Sequence, residues 1–273
     1  TTADQHDHAA SADLDQPADD LAPEEDLMSI GSRRDLLALI AAGRVVAESL
    51  ARMRALVRPG TTTAELDGAA ARVFQRHGAR SAPQLAYDFP GVTCISVNDE
   101  AVHGIPGRRR IEPGDLVKLD VTAELDGYMA DAAITVPVPP VAAADAALCD
   151  AAAAGLRAAL AVARDGATTG AVGAAVEGEV ERRGFRVLRE LAGHGIGRTI
   201  HEPPSVPNFG AAGVGPALTE GLVITIEPIV AAATRSTRQT GDGWTVATAD
   251  GGRSAHVEHT IIVARGRPLI LTA

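Results

Sequence analysis

Lysine is nearly missing from this sequence. Lys118 stands alone among 25 basic side chains, so arginine carries the positive charge, a bias of coding rather than a chemical signal. Cysteine is scarce too: Cys94 and Cys149 are too few for a disulfide framework and form no CxxC pair. Aromatic residues make up 3% of the chain, so its helices must pack through alanine and branched aliphatic side chains. The sequence shows neither a basic start followed by an apolar stretch nor an apolar run long enough to span a bilayer. These absences predict a soluble, cytoplasmic protein with no membrane partner.

The charge is unevenly placed. Of 35 acidic residues, nine fall within residues 1–27, which hold no lysine or arginine; the remaining 26 face 25 basic residues. The net charge of −10 therefore belongs to a tail whose low hydrophobicity and one-sided charge predict disorder. His6 and His8 read as solvated groups of that tail. Such a tail repels nucleic acid, and the body has no basic block beyond Arg108, Arg109 and Arg110, so direct nucleic-acid binding is not expected. At 273 residues the chain can form one large domain or two small ones, with ample material for a buried core, and residues 28–273 are expected to be its folded part.

Helical spacing of apolar residues runs from Arg33 to about Val57 and stops at Pro59-Gly60. A second helix follows in "TTTAELDGAAARVFQRHG", with a threonine cap, Glu65 in its first turn and Gly78 at its end. Residues 92–98 read as a strand, and Ala142 to about Gly184 as helix broken near Asp165-Gly166. The rest reads mainly as strands. The decapeptides "EPGDLVKLDV" and "TEGLVITIEP" share a turn, a glycine, an aliphatic run and a carboxylate, which suggests a duplicated helix–sheet unit with a site between its halves.

In "GDLVKLDVTAELDGYMADAAITV" two alternating runs meet at Asp126-Gly127, a hairpin signal. A two-residue turn there sets Thr122 opposite Asp131. Asp120 then lies diagonal to Asp131 on one face, with Cβ atoms roughly 7 Å apart. Two carboxylates so placed repel unless a cation or a shared proton lies between them. Glu227 closes a second apolar run and Glu258 sits in a third, both expected at strand positions. "LAGHGIGRTIHEPP" adds two histidines: glycines at 193, 195 and 197 argue against a helix and for His194 in a turn where backbone approaches a ligand. Four carboxylates and an imidazole suit divalent Mn, Fe, Co or Zn, and four negative charges can hold two such ions.

The segments "AVHGIP", "LDV…DGYMAD", "GHGIGRTIHEPP", "TIEP" and "HVEHT" resemble the five signatures of the type I methionine aminopeptidases, of the pita-bread metallopeptidase superfamily, over about residue 28 to the end. The resemblance implies an α/β (α+β) pita-bread fold, two pseudo-symmetric helix–sheet halves around a central dinuclear metal site. It implies Asp120, Asp131, His194, Glu227 and Glu258 as metal ligands, Asp131 and Glu258 bridging. Glu227 would also take a proton from water, while His201 and His103 would contact the peptide at its carbonyl oxygen and departing nitrogen. Tyr87, Phe89 and Trp244, with the neighbourhood of Cys94, match the methionine pocket. Asn98 and Ser254 match a monovalent-cation site. The implied substrate is the N-terminus of a nascent polypeptide with a small second residue, met at the ribosome, and the implied state is a monomer.

The sequence departs from that pattern in places. The loop around "AYDFP" is one residue shorter, Ile200 stands where a pocket aromatic is usual, Pro203 replaces an acidic residue, and Met129-Ala130 replaces a His-Gly-like pair. No departure touches an implied ligand, so hydrolysis is a firmer expectation than strict methionine preference. Two alternatives stay open: a relative with shifted specificity, such as an Xaa-Pro peptidase, or a non-catalytic binding module of the same fold.

Overall fold

A computed structural model describes residues 29–273. The predicted acidic tail, His6 and His8 lie outside the described residues. Two helices begin each half. Arg33–Leu56 starts at Ser32, whose hydroxyl accepts from the Asp35 amide. Thr63–His77 carries a full capping box, with Thr62 and Glu65 satisfying each other's backbone amides, and ends on Gly78 in the left-handed conformation. In the second half, Ala143–Val162 and Thr169–Arg182 are the matching pair.

The first pair packs on a hairpin formed by Leu116–Leu125 and Tyr128–Pro137, whose register sets Thr122 against Asp131 and Asp120 against Ala133. Val117, Leu119, Val121 and Ala123 enter the core beneath the helices. Strand alternation therefore turns Lys118, Asp120, Thr122 and Glu124 to the opposite face. Cys94–Val97 pairs with the hairpin's first strand, Cys94 opposite Asp120. The second helix pair covers Ile224, Ile226, Val230, Ala255 and Ile261, which lie on or beside the sheet ordered Leu269–Ile270, His259–Ile262, Val223–Ile226, Ala192–Gly195 and Glu202–Pro207.

The duplication legible in the decapeptides extends to backbone detail. Gly114 and Gly221 both adopt positive φ, +86° and +90°, six residues before Asp120 and Glu227 respectively. Thr62 and Thr168, the N-caps of the second helix of each half, each make an isolated bridge four residues before that glycine, to Arg110 and Ala217. Each half is the same device.

Two expectations need correction. Glu227 and Glu258 are not within strands. Val223–Ile226 pairs with His259–Ile262, Ile229–Ala231 pairs with Ser254–His256, and one register runs through both ladders. The gap between them is where Glu227 and Glu258 face each other. Pro228 explains it: proline has no amide to donate, and the Glu258 amide turns instead to the Ala133 carbonyl of the first half at 2.9 Å. His194, expected in a turn, lies in the strand Ala192–Gly195. Its flanking glycines serve sheet packing: a Cβ at Gly193 would meet the Thr225 carbonyl oxygen at 2.6 Å, and one at Gly195 the Pro203 carbonyl oxygen at 2.1 Å.

Candidate active site

The five predicted ligands converge where the two halves meet. Single ligand atoms of Asp131, His194 and Glu258 all lie within 4.8 Å of one another. Glu227 Oε1 is 3.5 Å from His194 Nε2. Asp120 and Asp131 lie diagonal across the hairpin, and after burial it is the charge of Asp131 that does most to raise Asp120. Asp131, Glu227 and Glu258 are buried, and Asp120 is partly so.

Neighbours orient several of these groups. Thr122 Oγ1 donates to Asp131 at 2.8 Å, and Thr225 Oγ1 donates to Glu227 at 3.1 Å. His194 Nδ1 lies 2.9 Å from the Gly195 carbonyl. A carbonyl only accepts, so Nδ1 holds the ring proton and Nε2 presents its lone pair to the carboxylates, the tautomer a metal ligand needs.

The electrostatics are those of a site built for cations. Burial first, and the neighbouring carboxylates next, push Asp120, Glu227 and Glu258 well above the usual carboxylate range; burial lifts Asp131 to about 6. Among the described residues, the ion-pair partners of Glu227 and Glu258 are imidazoles alone, His194 and His256. Burial brings both of these down to about 3, so they are neutral and compensate nothing.

A cleft of about 80 Å³ opens onto the hairpin carboxylates, with Asp120, Thr122 and Asp131 along one side. Tyr87, Phe89, Trp244, Ile200, Cys94 and Pro83 supply its apolar wall, and His103 and His201 complete it. Phe89 and Trp244 meet edge to face at 5.2 Å between centroids. His201 crosses His194 at 4.3 Å, and its Nδ1 lies 2.5 Å from the Tyr87 hydroxyl. His103 sits at positive φ, +57°, just before Gly104, where a Cβ would meet the Ile95 carbonyl oxygen at 2.3 Å. The chain can bend there and turn the histidine into the cleft.

The profile of metallopeptidase family M24 matches residues 38–265. Methionine aminopeptidase 1 of Bacillus subtilis is 38% identical over 239 residues, 88% of this chain and 96% of that protein. Methionine aminopeptidase 1 of Mycobacterium tuberculosis is 42% identical over 248 residues, 88% and 93% of the two chains. The crystal structure of the Thermotoga maritima methionine aminopeptidase superposes with a TM-score of 0.88 at 33% identity, covering 90% of this chain and 99% of that one. The chain belongs to the methionine aminopeptidases of family M24. Its fold is the pita-bread fold, shared also with the Pyrococcus furiosus prolidase at a TM-score of 0.74 and 21% identity.

Family M24 is one of metallopeptidases, and the donors here fit a divalent ion. Asp131 Oδ1 and Glu258 Oε1 are buried with no hydrogen-bond partner, and unpaired buried oxygens beside a neutral imidazole are what a hard cation takes up.

The monovalent-cation expectation meets a different arrangement. Asn98 and Ser254 do come together, but their oxygens face a cation of the chain itself. Lys118 Nζ donates to the Asn98 carbonyl at 2.7 Å, to Ser254 Oγ at 3.3 Å and to the Ser254 carbonyl at 3.4 Å. A second cation among the same oxygens would be repelled. Burial pulls Lys118 down to about 7, while Glu100 and Asp99 pull it back up.

His256 escaped the sequence reading. It lies two residues before Glu258 in "HVEHT", a spacing that returns a side chain to the same face of an extended segment. That alternation was the available signal.

Proposed function

We propose that the protein is a metal-dependent methionine aminopeptidase that removes the N-terminal methionine from nascent proteins and peptides whose second residue is small. The observation that carries this reading is the meeting, in one cleft, of a buried carboxylate–imidazole cluster with an apolar wall of Tyr87, Phe89 and Trp244. The methionine side chain lies against that wall, where a polarisable thioether makes favourable contacts with aromatic rings.

In this reading Asp120, Asp131, His194, Glu227 and Glu258 would hold two divalent ions. Such ions lower the pKa of water and polarise a carbonyl. Glu227, oriented by Thr225, accepts the proton that the attacking water gives up. Tyr87, kept protonated by burial, donates to His201 Nδ1, which leaves the proton on Nε2. His201 thereby donates to the oxygen that becomes negative during attack, and His103 contacts the departing amide nitrogen. The free amino end of the substrate would meet the negative charge of these carboxylates, which confines cleavage to the first residue. The enzyme acts as a cytoplasmic monomer on chains leaving the ribosome, and residues 28–273 form the catalytic unit.

Hydrolysis of Met-Ala-Ser tests the reading. Chelation should abolish turnover, Mn²⁺ or Co²⁺ should restore it, and Asp131→Asn should stay inactive under both conditions. Faster cleavage of an Ala-Pro peptide than of Met-Ala-Ser would overturn it.

A further inference from the structure

His256 is 2% exposed, and neither ring nitrogen has a hydrogen-bond partner. A neutral imidazole always carries one N–H, so one buried donor is left unpaired. The ring cannot wander to find a partner elsewhere. Its backbone amide donates to Thr135 Oγ1 at 2.9 Å, and that hydroxyl donates to the His256 carbonyl at 2.8 Å, fixing the residue at the end of its strand. From there Nε2 stands 3.6 Å from Glu258 Oε2 and 3.8 Å from Glu227 Oε2. These two carboxylates face each other across the gap at Pro228, where no backbone ladder holds them. A donor between them supplies the missing restraint.

We propose that His256 is a positioning residue of the ion site, its Nε2–H shared between the carboxylates of Glu227 and Glu258 so that both are held ready for a divalent ion. The inference rests on the two-ion reading given above. His256 does not touch substrate and does not itself ligate; it acts through the two glutamates. Groups of this kind typically change metal affinity about 10–100-fold when removed.

The test is calorimetric titration of Mn²⁺ into chelator-stripped full-length protein. The wild type should take up two ions. His256→Leu, which keeps the bulk and loses the N–H, should lower the affinity of the weaker site about 10–100-fold. His256→Gln, whose amide reaches to about the same point, should recover most of the loss. Melting curves of the stripped variants separate a fold defect from a metal defect, since a residue that only fills space would not be rescued by an amide.

Two wild-type ions with unchanged affinities in His256→Leu would overturn the role of His256 and leave the two-ion reading standing. Fewer than two ions in the wild type would overturn both. Should His256→Leu not fold, ¹⁵N-histidine spectra of the ¹¹³Cd-loaded wild type decide. A protonated Nε2 supports the inference, and a nitrogen–cadmium coupling at His256 refutes it by making the ring a ligand.

Discussion

The backbone amide of Asp131 donates to Thr260 Oγ1 at 2.8 Å, and the same hydroxyl donates to the Asp131 carbonyl at 2.7 Å. One fully buried threonine of the second half thus holds both backbone polar groups of a hairpin residue in the first. Thr260→Val keeps the shape and leaves the amide and carbonyl unpaired. Each buried group so stranded costs about 1–3 kcal/mol, so urea denaturation should show a combined loss of about 2–6 kcal/mol. Mn²⁺ affinity should fall with it, because Asp131 loses its anchor; unchanged affinity would show that the hairpin alone places the carboxylate.

In the proposed ion site, protons and metal compete for the carboxylates. Asp131 titrates at about 6, and Asp120, Glu227 and Glu258 are pushed higher than usual, chiefly by burial. The same groups in an unfolded chain ionise near ~4. Between those values the folded protein binds more protons than the unfolded one, so these groups lower stability as pH rises through that window. A divalent ion offsets the charge that appears. The rise in Tm on adding Mn²⁺ should therefore be larger at about pH 7.5 than at about pH 5.5. Equal rises at both would contradict the assignment of these groups to an ion site.

Period-two alternation and the Asp-Gly turn made the hairpin legible before any coordinates, including the register that brings Asp120 beside Asp131. The helices were legible through their caps. His194 was not legible as a strand residue, because Gly193 and Gly195 read locally as turn formers. Their reason is non-local: the carbonyls of Thr225 and Pro203 crowd the places where side chains would go. Glu227 and Glu258 end or interrupt aliphatic runs that look like unbroken strands, and Pro228 alone does not reveal the break. The partner of that break is some thirty residues away, and pairing at that distance leaves no local trace. The place of Lys118 is not legible either, since nothing local says which oxygens it will meet.

Lys118→Met removes the ammonium from among the oxygens of Asn98 and Ser254. Loss of a buried donor should lower stability by about 1–3 kcal/mol. K⁺ or Na⁺, but not choline, should recover part of that loss in the variant, whereas wild-type activity should be the same in all three salts. A wild type that needs K⁺ or Na⁺ would show that the lysine does not fill the site.

Trp244 closes the apolar wall against Phe89. Trp244→Ala should reduce kcat/KM on Met-Ala-Ser by the equivalent of about 1–3 kcal/mol and narrow the preference over Leu-Ala-Ser. Metal stoichiometry should be untouched, which calorimetry checks.

Removal of residues 1–27 should leave turnover of a short peptide within about twofold, since the charge they carry repels rather than binds polyanions. Loss of turnover on deletion would place the tail in the catalytic unit.

Because each copy of the repeated helix–strand unit ends its central run on an acid, juxtaposing two copies already yields an anionic hollow at their seam. Neither copy alone brings all five proposed donors: the first has two aspartates, the second a histidine and two glutamates. A divalent ion held by both sets would act as a clasp between the copies. Co-expressed fragments cut near residue 140 should accordingly reassemble more tightly with Mn²⁺ than with EDTA.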